Sequence, residues 1–538
     1  MKKAMDQFKK RQSWLLDNER SSVILQKEAL VQIALVFPNT YEVGMSNLGF
    51  HTLYRLLNGV LGIRCERAFV DAQFPEIIRT LESGRTLNEF DIIAFSIAFE
   101  LDYVNVIRAL LVSGLEPFAT NRNEHDPIVL AGGVATFINP HPLLPFIDLC
   151  FTGELEPMLN VWTDQLLEGS RHHWDKATRL QKMQELEGFF PSNGNGPVSP
   201  HKRITWNEGR QSPQFSTIIS SASHFTDMFL VEVGRGCGRF CSFCAASHVY
   251  HPVRFFNKAT ILDVVDEHAI DATRIGLVGA ALCDYPEIEP LCTALVERGY
   301  KLGLSSFRFE TLTSEFLHIL ERAGIQTITL APEAGTERLR WIINKRITDQ
   351  TIFAAINKVA ESSIQTLKLY FLIGLPFEQE SDLEGIIRMV TRIRGILDRG
   401  TRKTGLTVSM NAFIPKPFTA FQWAPMNNEK ELKSKRRYVE RALRKLKGVQ
   451  LVPKSTRLEV LQGIVSMGDR SIAEILLAMA QKFGGSLPDL HPWMASITKS
   501  RAPAMQLPWD DLHYPIARER LWRQWQSKFN EKSESEMI

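Results

Sequence analysis

From Val31 onward the chain settles into short, continuous apolar runs separated by stretches whose apolar residues recur at helical spacing. VQIALVFPN is a β-rich run closed by Pro38 and Asn39, and LGFHTLYRLLNGV behind it repeats its apolar residues every three or four positions. IRCERAFV, FDIIAFSIAF, PIVLAGG and IDLCFTG read as further buried strands, with a helix around LDYVNVIRALLVSG. Unbroken apolar strands alternating with helices predict a parallel sheet covered on both faces. Residues 28–165 are therefore expected to form a doubly wound, flavodoxin- or Rossmann-like α/β domain, preceded by an extension over 1–27.

Residues 166–222 read as a linker, with a helical piece over 175–186 and then the turn-forming cluster PSNGNGPVSPHK. From 223 to 420 the strand–helix–strand rhythm returns, with apolar β-type runs at 229–236, 274–280, 301–307, 327–335, 366–376 and 406–417. Six βα units are too few to close an eight-fold barrel, so the expectation is a partial (β/α)6 barrel. Residues 421–538 are expected to be mostly helical. They hold a basic amphipathic helix (NEKELKSKRRYVERALRKLKG), two helices broken at Met467-Gly468-Asp469, and an aromatic-rich closing helix.

Composition narrows the class without changing this outline. A chain of 538 residues has room for several domains of about 150 residues each. A 44% hydrophobic content and a net charge of +3 exclude a disordered or polyanion-coating protein. No apolar run approaches the roughly 20 residues of a membrane span, and MKKAMDQFKKRQSWLLDNER lacks the apolar region of a secretory signal. Seven cysteines, three of them bunched, fit a reducing compartment, and a cytoplasmic location is expected.

The bunched cysteines change the picture most. Cys237, Cys241 and Cys244 lie in VEVGRGCGRFCSFCAASHVY, on the loop after the first strand of the second domain. Clustered thiolates select zinc, copper(I) or iron–sulfur centres. With His248 they make a Cys3His set, so structural zinc is one reading. A cubane cluster is the other: three cysteines leave one of its four irons without a protein ligand. Barrel active sites lie at the carboxyl ends of the strands, where this loop falls. The same rule marks four loops of the N-terminal sheet as a second candidate site. They carry Tyr41 and Gly44, then Ser96, then Gly132 and Gly133, then Gly153 and Glu154.

Cys-x3-Cys-x2-Cys with an aromatic, Phe243, before the last cysteine resembles the radical S-adenosylmethionine (SAM) superfamily. The resemblance implies a [4Fe-4S] cluster on Cys237, Cys241 and Cys244, with SAM chelating the open iron. It also implies one-electron cleavage of SAM to methionine and a 5′-deoxyadenosyl radical, and an electron donor such as flavodoxin or ferredoxin. By the same resemblance SAM is contacted by Phe243, by Gly279 after the second strand, and by Ser305, Ser306 and Arg308 after the third. Glu333 and Arg340 after the fourth strand and Gly374 at the end of the fifth complete that set.

FPNTYEVGMSNLGFHTLY, AGGVATFINPHPL, LVGAALCDYP, LAPEAGTERLRWIINK, LYFLIGLP, FIPKPFTAFQW and LPWD resemble, across nearly the whole chain, a bacterial group of radical SAM proteins with an N-terminal cobalamin-binding-like domain. Cobalamin contacts are then implied at Tyr41, Gly44, Ser96, Gly132, Gly133, Gly153 and Glu154, and methylation or related radical chemistry at an unactivated carbon. One motif departs from the cobalamin pattern: no histidine completes Asp-x-His-x-x-Gly. Asp266-x-His268 lacks the glycine, and His51 has Gly49 where the aspartate belongs. Two rivals remain: a cobalamin-independent enzyme of the methylthiotransferase-like branch that modifies RNA or protein, recruiting its target through the basic C-terminal region, and a non-catalytic zinc scaffold. No residue names the substrate, and no catalytic acid or base stands out.

Overall fold

The apolar runs of the N-terminal half become a six-stranded sheet. The computed structural model describes residues 2–71, 73–192, 212–304, 306–400, 402–482 and 487–535, so most of the turn-forming cluster before 212 and the candidate SAM contact Ser305 lie outside the described residues. Helix α1 (Lys2–Asp17) and strand β1 (Glu19–Ser21) precede the sheet. Its strands are β2 (Val31–Phe37), β3 (Ile63–Phe69), β4 (Ile92–Ser96), β5 (Ile128–Gly132), β6 (Leu149–Phe151) and β7 (Phe189–Pro191), in the spatial order β3-β2-β4-β5-β6-β7. All neighbours are parallel except β7, which runs antiparallel on β6. Six of the seven residues of β2 are buried, which explains why that run is continuous rather than alternating. The chain leaves β2 to one side for β3 and then crosses to β4 on the other. Helix α2 (Leu48–Asn58) starts at Asn47, whose side chain accepts from Phe50 N–H, and α3 (Tyr103–Val112) follows β4.

The extension over 1–27 is fastened rather than loose. Strand β1 pairs antiparallel with β8 (Ile218–Ser220). Glu19 on β1 accepts two bonds of 2.8 Å from Arg67 on β3. Arg67 Nε donates to Glu82 at 2.6 Å, and the Tyr41 and Tyr54 hydroxyls close the network on Glu19 and Glu82.

The chain divides into two compact units, and the first reclaims part of the C-terminal region: it holds 1–229, 467–492 and 506–513. Residues 421–538 are therefore not one body. The reasons are specific: helix Ala473–Gln481 packs on α3, Asn139 Nδ2 donates to Gly468 O at 2.7 Å, and His141 meets Asp511 at 2.9 Å.

The second unit is built on strands that follow chain order. A three-stranded sheet, β13-β12-β9, joins β9 (Met228–Glu232), β12 (Arg274–Val278) and β13 (Lys301–Leu304). A four-stranded sheet, all parallel, joins β14 (Thr327–Glu333), β15 (Thr366–Ile373), β16 (Gly405–Ala412) and β17 (Val449–Val452). The strand β17 was not among the six expected; it is half-exposed and short, so no strong apolar run announces it. Strands β14 and β15 alternate in burial, which leaves Thr329, Ala331, Glu333, Tyr370 and Leu372 on the less buried face. A two-residue ribbon, β10 (Gly234–Arg235) with β11 (Arg254–Phe255), brackets the cysteine loop. The basic helix Glu429–Leu443 is a packed element: Leu432, Val439 and Leu443 are buried, Lys435 pairs with Glu378, and Arg436 with Glu459.

Candidate active site

The loop that carries the three cysteines is held from several sides. At its start Gly236 has φ +84°, and a Cβ there would lie 2.3 Å from Tyr250 O, so only glycine fits. Cys244 N–H donates to Cys241 O at 3.0 Å, forming a tight turn. The segment after β14 supplies the main clamp. Ser242 N–H donates to Ile343 O at 2.9 Å, and Asn344 Nδ2 donates to Phe240 O at 2.8 Å and Arg239 O at 3.3 Å. Phe421 N–H adds a bond of 3.0 Å to Ser242 O. Phe240 (φ +52°) and Asn344 (φ +56°) are both left-handed, a conformation costly for the former and tolerated by the latter.

All three thiols are partly buried and free of disulfides. Burial pushes the Cys241 thiol up to about 12 and raises Cys244, while the Lys345 ammonium opposes both shifts. Lys345 Nζ lies 3.2 Å from Glu333 Oε1, and burial raises that carboxyl against the pull of the ammonium. Glu333 itself sits at a register shift of β14 with φ +68°. The loop thus carries three soft donors with a carboxylate–ammonium pair in electrostatic reach. Among the described residues no three His, Cys, Asp or Glu side chains stand close enough to hold one metal ion. His248 is buried, its ring edge-on to Phe240. A cubane takes each thiolate on a different iron.

An open cavity of about 480 Å³ lies beside this loop, lined by Arg239, Cys283, Asp284, Tyr285, Glu289 and Glu310 among others. Arg239 Nε donates to Asp284 at 2.9 Å, and Arg308 spans Asp284 and Glu310. Cys283 is buried and is one wall of this cavity. Neither Lys345 nor Asn344 stood out as a site residue in the sequence; their only signal was the position of Ile343-Asn344-Lys345 behind the fourth strand.

The other expected SAM contacts divide. Phe243 is half-buried within the loop and Ser306 is exposed. Gly279 brings its backbone against that of Gly234. Gly374 (φ +76°) gives its N–H to Glu378 at 2.9 Å. Arg340 is engaged within its own segment. Its side chain is fully buried, Nε donates to Ile347 O at 2.7 Å, Nη1 to Ala334 O at 3.0 Å, and Nη2 to Asp349. This arginine is occupied in bracing its own turn. Gly335 in the same motif allows close packing on helix Glu380–Asp398, since a Cβ would lie 2.1 Å from Ile386 N.

In the first unit the expected cofactor loops also divide. Tyr41 belongs to the Arg67 network, and Gly44 packs on Phe69, where a Cβ would come within 2.5 Å. Both residues are packed into the core. Ser96, Gly153 and Glu154 are buried at the ends of β4 and β6. Gly133 (φ +105°) closes on the loop after β4, with Ile97 O 2.5 Å from where a Cβ would be. His51 is buried, bonded through Nε2 to Met45 O at 3.0 Å, and burial pushes it down to about 4.

Two family models match this arrangement: radical SAM proteins, N-terminal, over residues 49–191, and radical SAM superfamily, over residues 231–390. The second spans β9 and the three cysteines, so the chain carries a radical SAM domain and is an enzyme of that superfamily. A curated relative, uncharacterized protein MJ0966 of Methanocaldococcus jannaschii, is 28% identical over 451 residues, covering 82% of this chain and 90% of its own length. Among solved structures the chain is similar to the radical SAM methyltransferase TsrM of Kitasatospora setae, determined with cobalamin and a [4Fe-4S] cluster. The TM-score is 0.50 at 12% identity, over 84% of this chain and 99% of that one, a likeness of fold. The cobalamin-dependent SAM radical enzyme OxsB with aqua-cobalamin matches at TM-score 0.45 and 18% identity, over 67% of this chain and 52% of its own. No helix among the described residues is long and apolar enough to cross a membrane.

Proposed function

We propose that the chain is a radical SAM enzyme that holds a [4Fe-4S] cluster on Cys237, Cys241 and Cys244 and cobalamin on its N-terminal domain, for methylation or related radical chemistry at an unactivated carbon. The observation that carries the reading is the match of the superfamily model across a loop of three free thiols. When bound, the cluster and SAM supply one-electron cleavage of a sulfonium to methionine and a 5′-deoxyadenosyl radical. The chain's own residues do the rest. Asn344 and Ile343 hold the loop in shape, Lys345 balances thiolate charge, and Glu333 meets that ammonium on the less buried face of β14. The cavity beside Arg239 is the place we assign to SAM or substrate. The domain reading behind this is a doubly wound sheet for cobalamin over 28–165 and a partial barrel for the radical chemistry over 223–420. Electrons come from a flavodoxin- or ferredoxin-type donor, in the cytoplasm, where free thiols persist.

Support for cobalamin is one of fold: the order β3-β2-β4-β5-β6 is flavodoxin-like, and the chain is similar in fold to TsrM. The buried, neutral His51 does not serve as a cobalt ligand in this reading. Anaerobic reconstitution tests the core of it. About four irons and four sulfides per chain are expected, with 5′-deoxyadenosine released from SAM on reduction, and Cys241→Ala is expected to lose both. A Cys241→Ala chain that keeps its cluster and cleaves SAM would falsify the reading.

A further inference from the structure

We propose that the solvent face of helix Glu429–Leu443, with the two loops beside its C-terminal end, is a track for the phosphate backbone of RNA, and that RNA is the class of substrate led to the cysteine loop. In naming a substrate the inference deepens the radical SAM reading and rests on it.

The charge is concentrated here, and the packing of the helix does not use it. Residues 429–447 hold nine lysines and arginines against three glutamates, while the whole chain carries a net +3, so the remainder is net negative. The inward face of the helix is complete in itself: Leu432, Val439 and Leu443 are buried, Arg436 is matched to Glu459, and Lys435 to Glu378. The opposite face presents Lys430, Lys433, Arg437, Arg441 and Arg444, all exposed and three or four residues apart. Neighbours at that spacing stand about 5–6 Å apart between Cβ atoms, so the five form one stripe about 21 Å long. Glu429 answers Lys433 and Glu440 answers Arg444, but Lys430, Arg437 and Arg441 have no acidic partner among the described residues. Lys430 stands in the first turn, where the helix dipole disfavours a cation.

The fold extends the stripe at its far end. Arg394 Nη1 donates to Thr404 O at 2.8 Å and to Gly448 O at 3.4 Å, which ties together the loops that enter β16 and β17. Those loops put Arg402 and Lys403 beside Lys445 and Lys447, all four exposed and without an acidic partner among the described residues. Like charges gathered in this way repel one another and raise the energy of the folded state, and a polyanion relieves that repulsion. At its near end the stripe starts at the carboxyl edge of the sheet: Lys435 reaches Glu378, which accepts from Gly374 N–H behind β15 at 2.9 Å. The cysteine loop is bonded to the same edge, through Ile343 behind β14 and Phe421 behind β16. Other partners fit this surface less well. A membrane-bound helix buries its apolar face in lipid, and this one buries it in the core. Protein interfaces are depleted of lysine, and a compact electron donor has to sit at the cysteines, from which this track leads away. A line of cations at regular intervals suits a nucleic-acid strand. The exposed ring of Tyr438, three residues before Arg441, adds a face on which a base can stack.

The test is fluorescence anisotropy of a labelled RNA hairpin of mixed sequence, titrated with the full chain, cluster reconstituted, over a range of salt. The unaltered chain is expected to bind, with an affinity that falls steeply as salt rises. Arg437→Glu combined with Arg441→Glu should bind at least tenfold more weakly, with a salt slope shallower by about two. Tyr438→Ala should bind several-fold more weakly at an unchanged slope. Iron content at the cysteines should not change, which reports that the variants fold. Arg437→Gln with Arg441→Gln removes the charge without reversing it if the double glutamate variant does not fold, and is expected to weaken binding too. An unaltered chain that holds no cluster overturns the radical SAM reading and the substrate claim with it. A chain that holds its cluster but binds no RNA, or whose binding the double variants leave within twofold, overturns the inference alone. Tighter binding of a flavodoxin or of phosphatidylserine vesicles through the same residues overturns it as well.

Discussion

The Arg67 network and the cysteine loop are opposite solutions to a buried polar group. At Arg67 the chain answers every charge itself: two carboxylates, two phenols and the Tyr54 ring, 4.8 Å away, surround one guanidinium that is 2% exposed. At Cys237, Cys241 and Cys244 the backbone is clamped but the thiols are left without bonded partners from one another. Where the chain completes its own polar groups it builds structure. Where it stops short, it leaves a place for something it does not make.

The strongest way to break this contrast is Arg67→Met. It strands Glu19 and Glu82 in the interior, and breaking a buried pair on one side costs about 3–5 kcal/mol. Urea unfolding should show the loss, and a variant of unchanged midpoint would mean the network is ornamental. Asp102 should respond in the reverse sense. Its folded carboxyl titrates at about 7 against 3.8 ordinarily, so the folded chain binds the extra proton between those values. Stability is then fully present below about pH 4 and lost as pH rises toward 7. Asp102→Asn should match the unaltered chain near pH 4 and exceed it at pH 8, by an amount on the order of a few kcal/mol at most. Equal melting differences at both pH values would mean that burial does not raise this carboxyl. Gly335→Ala drives a methyl into the backbone of helix Glu380–Asp398 and should cost about 1–3 kcal/mol, read as a lower melting temperature. Asn344→Ala is the mildest for the fold, about 1 kcal/mol for two side-chain bonds to the loop backbone. Its sharper reading is iron retained after gel filtration, which should fall while circular dichroism holds. Asn344→Gly, which keeps the left-handed turn but not the bonds, separates clamp from conformation.

Much of the fold was legible because burial writes itself into sequence. VQIALVF and TLKLYFLI are strands in any reading, and Met467-Gly468-Asp469 marked a helix break that the structure also has, between Thr456–Met467 and Ala473–Gln481. Strand β17 was illegible because an edge strand with one half-wet face carries no apolar run. The site was legible in its thiols, whose spacing has few other uses, and obscure in its supports. Arg340 looked like a ligand clamp because an arginine after a strand can meet a carboxylate; nothing in the sequence said that Ala334, Ile347 and Asp349 would claim it first. Asn344 acts through bonds to a loop a hundred residues earlier and Lys345 through its charge beside the thiols, and spacing along the chain does not encode such partners.

The division of the chain has a consequence for how the protein is made. The polypeptide passes from one unit to the other after residues 229, 466, 492, 505 and 513. A ribosome that has finished the six-stranded sheet has therefore not finished the first unit, which waits for helix Ala473–Gln481 and Asp511 to arrive hundreds of residues later. The two halves cannot be cut apart at the stretch before 212 and expressed as independent pieces without leaving α3 and His141 uncovered. Late in synthesis the nascent chain holds one nearly complete sheet with an open flank, a natural hold point for a chaperone.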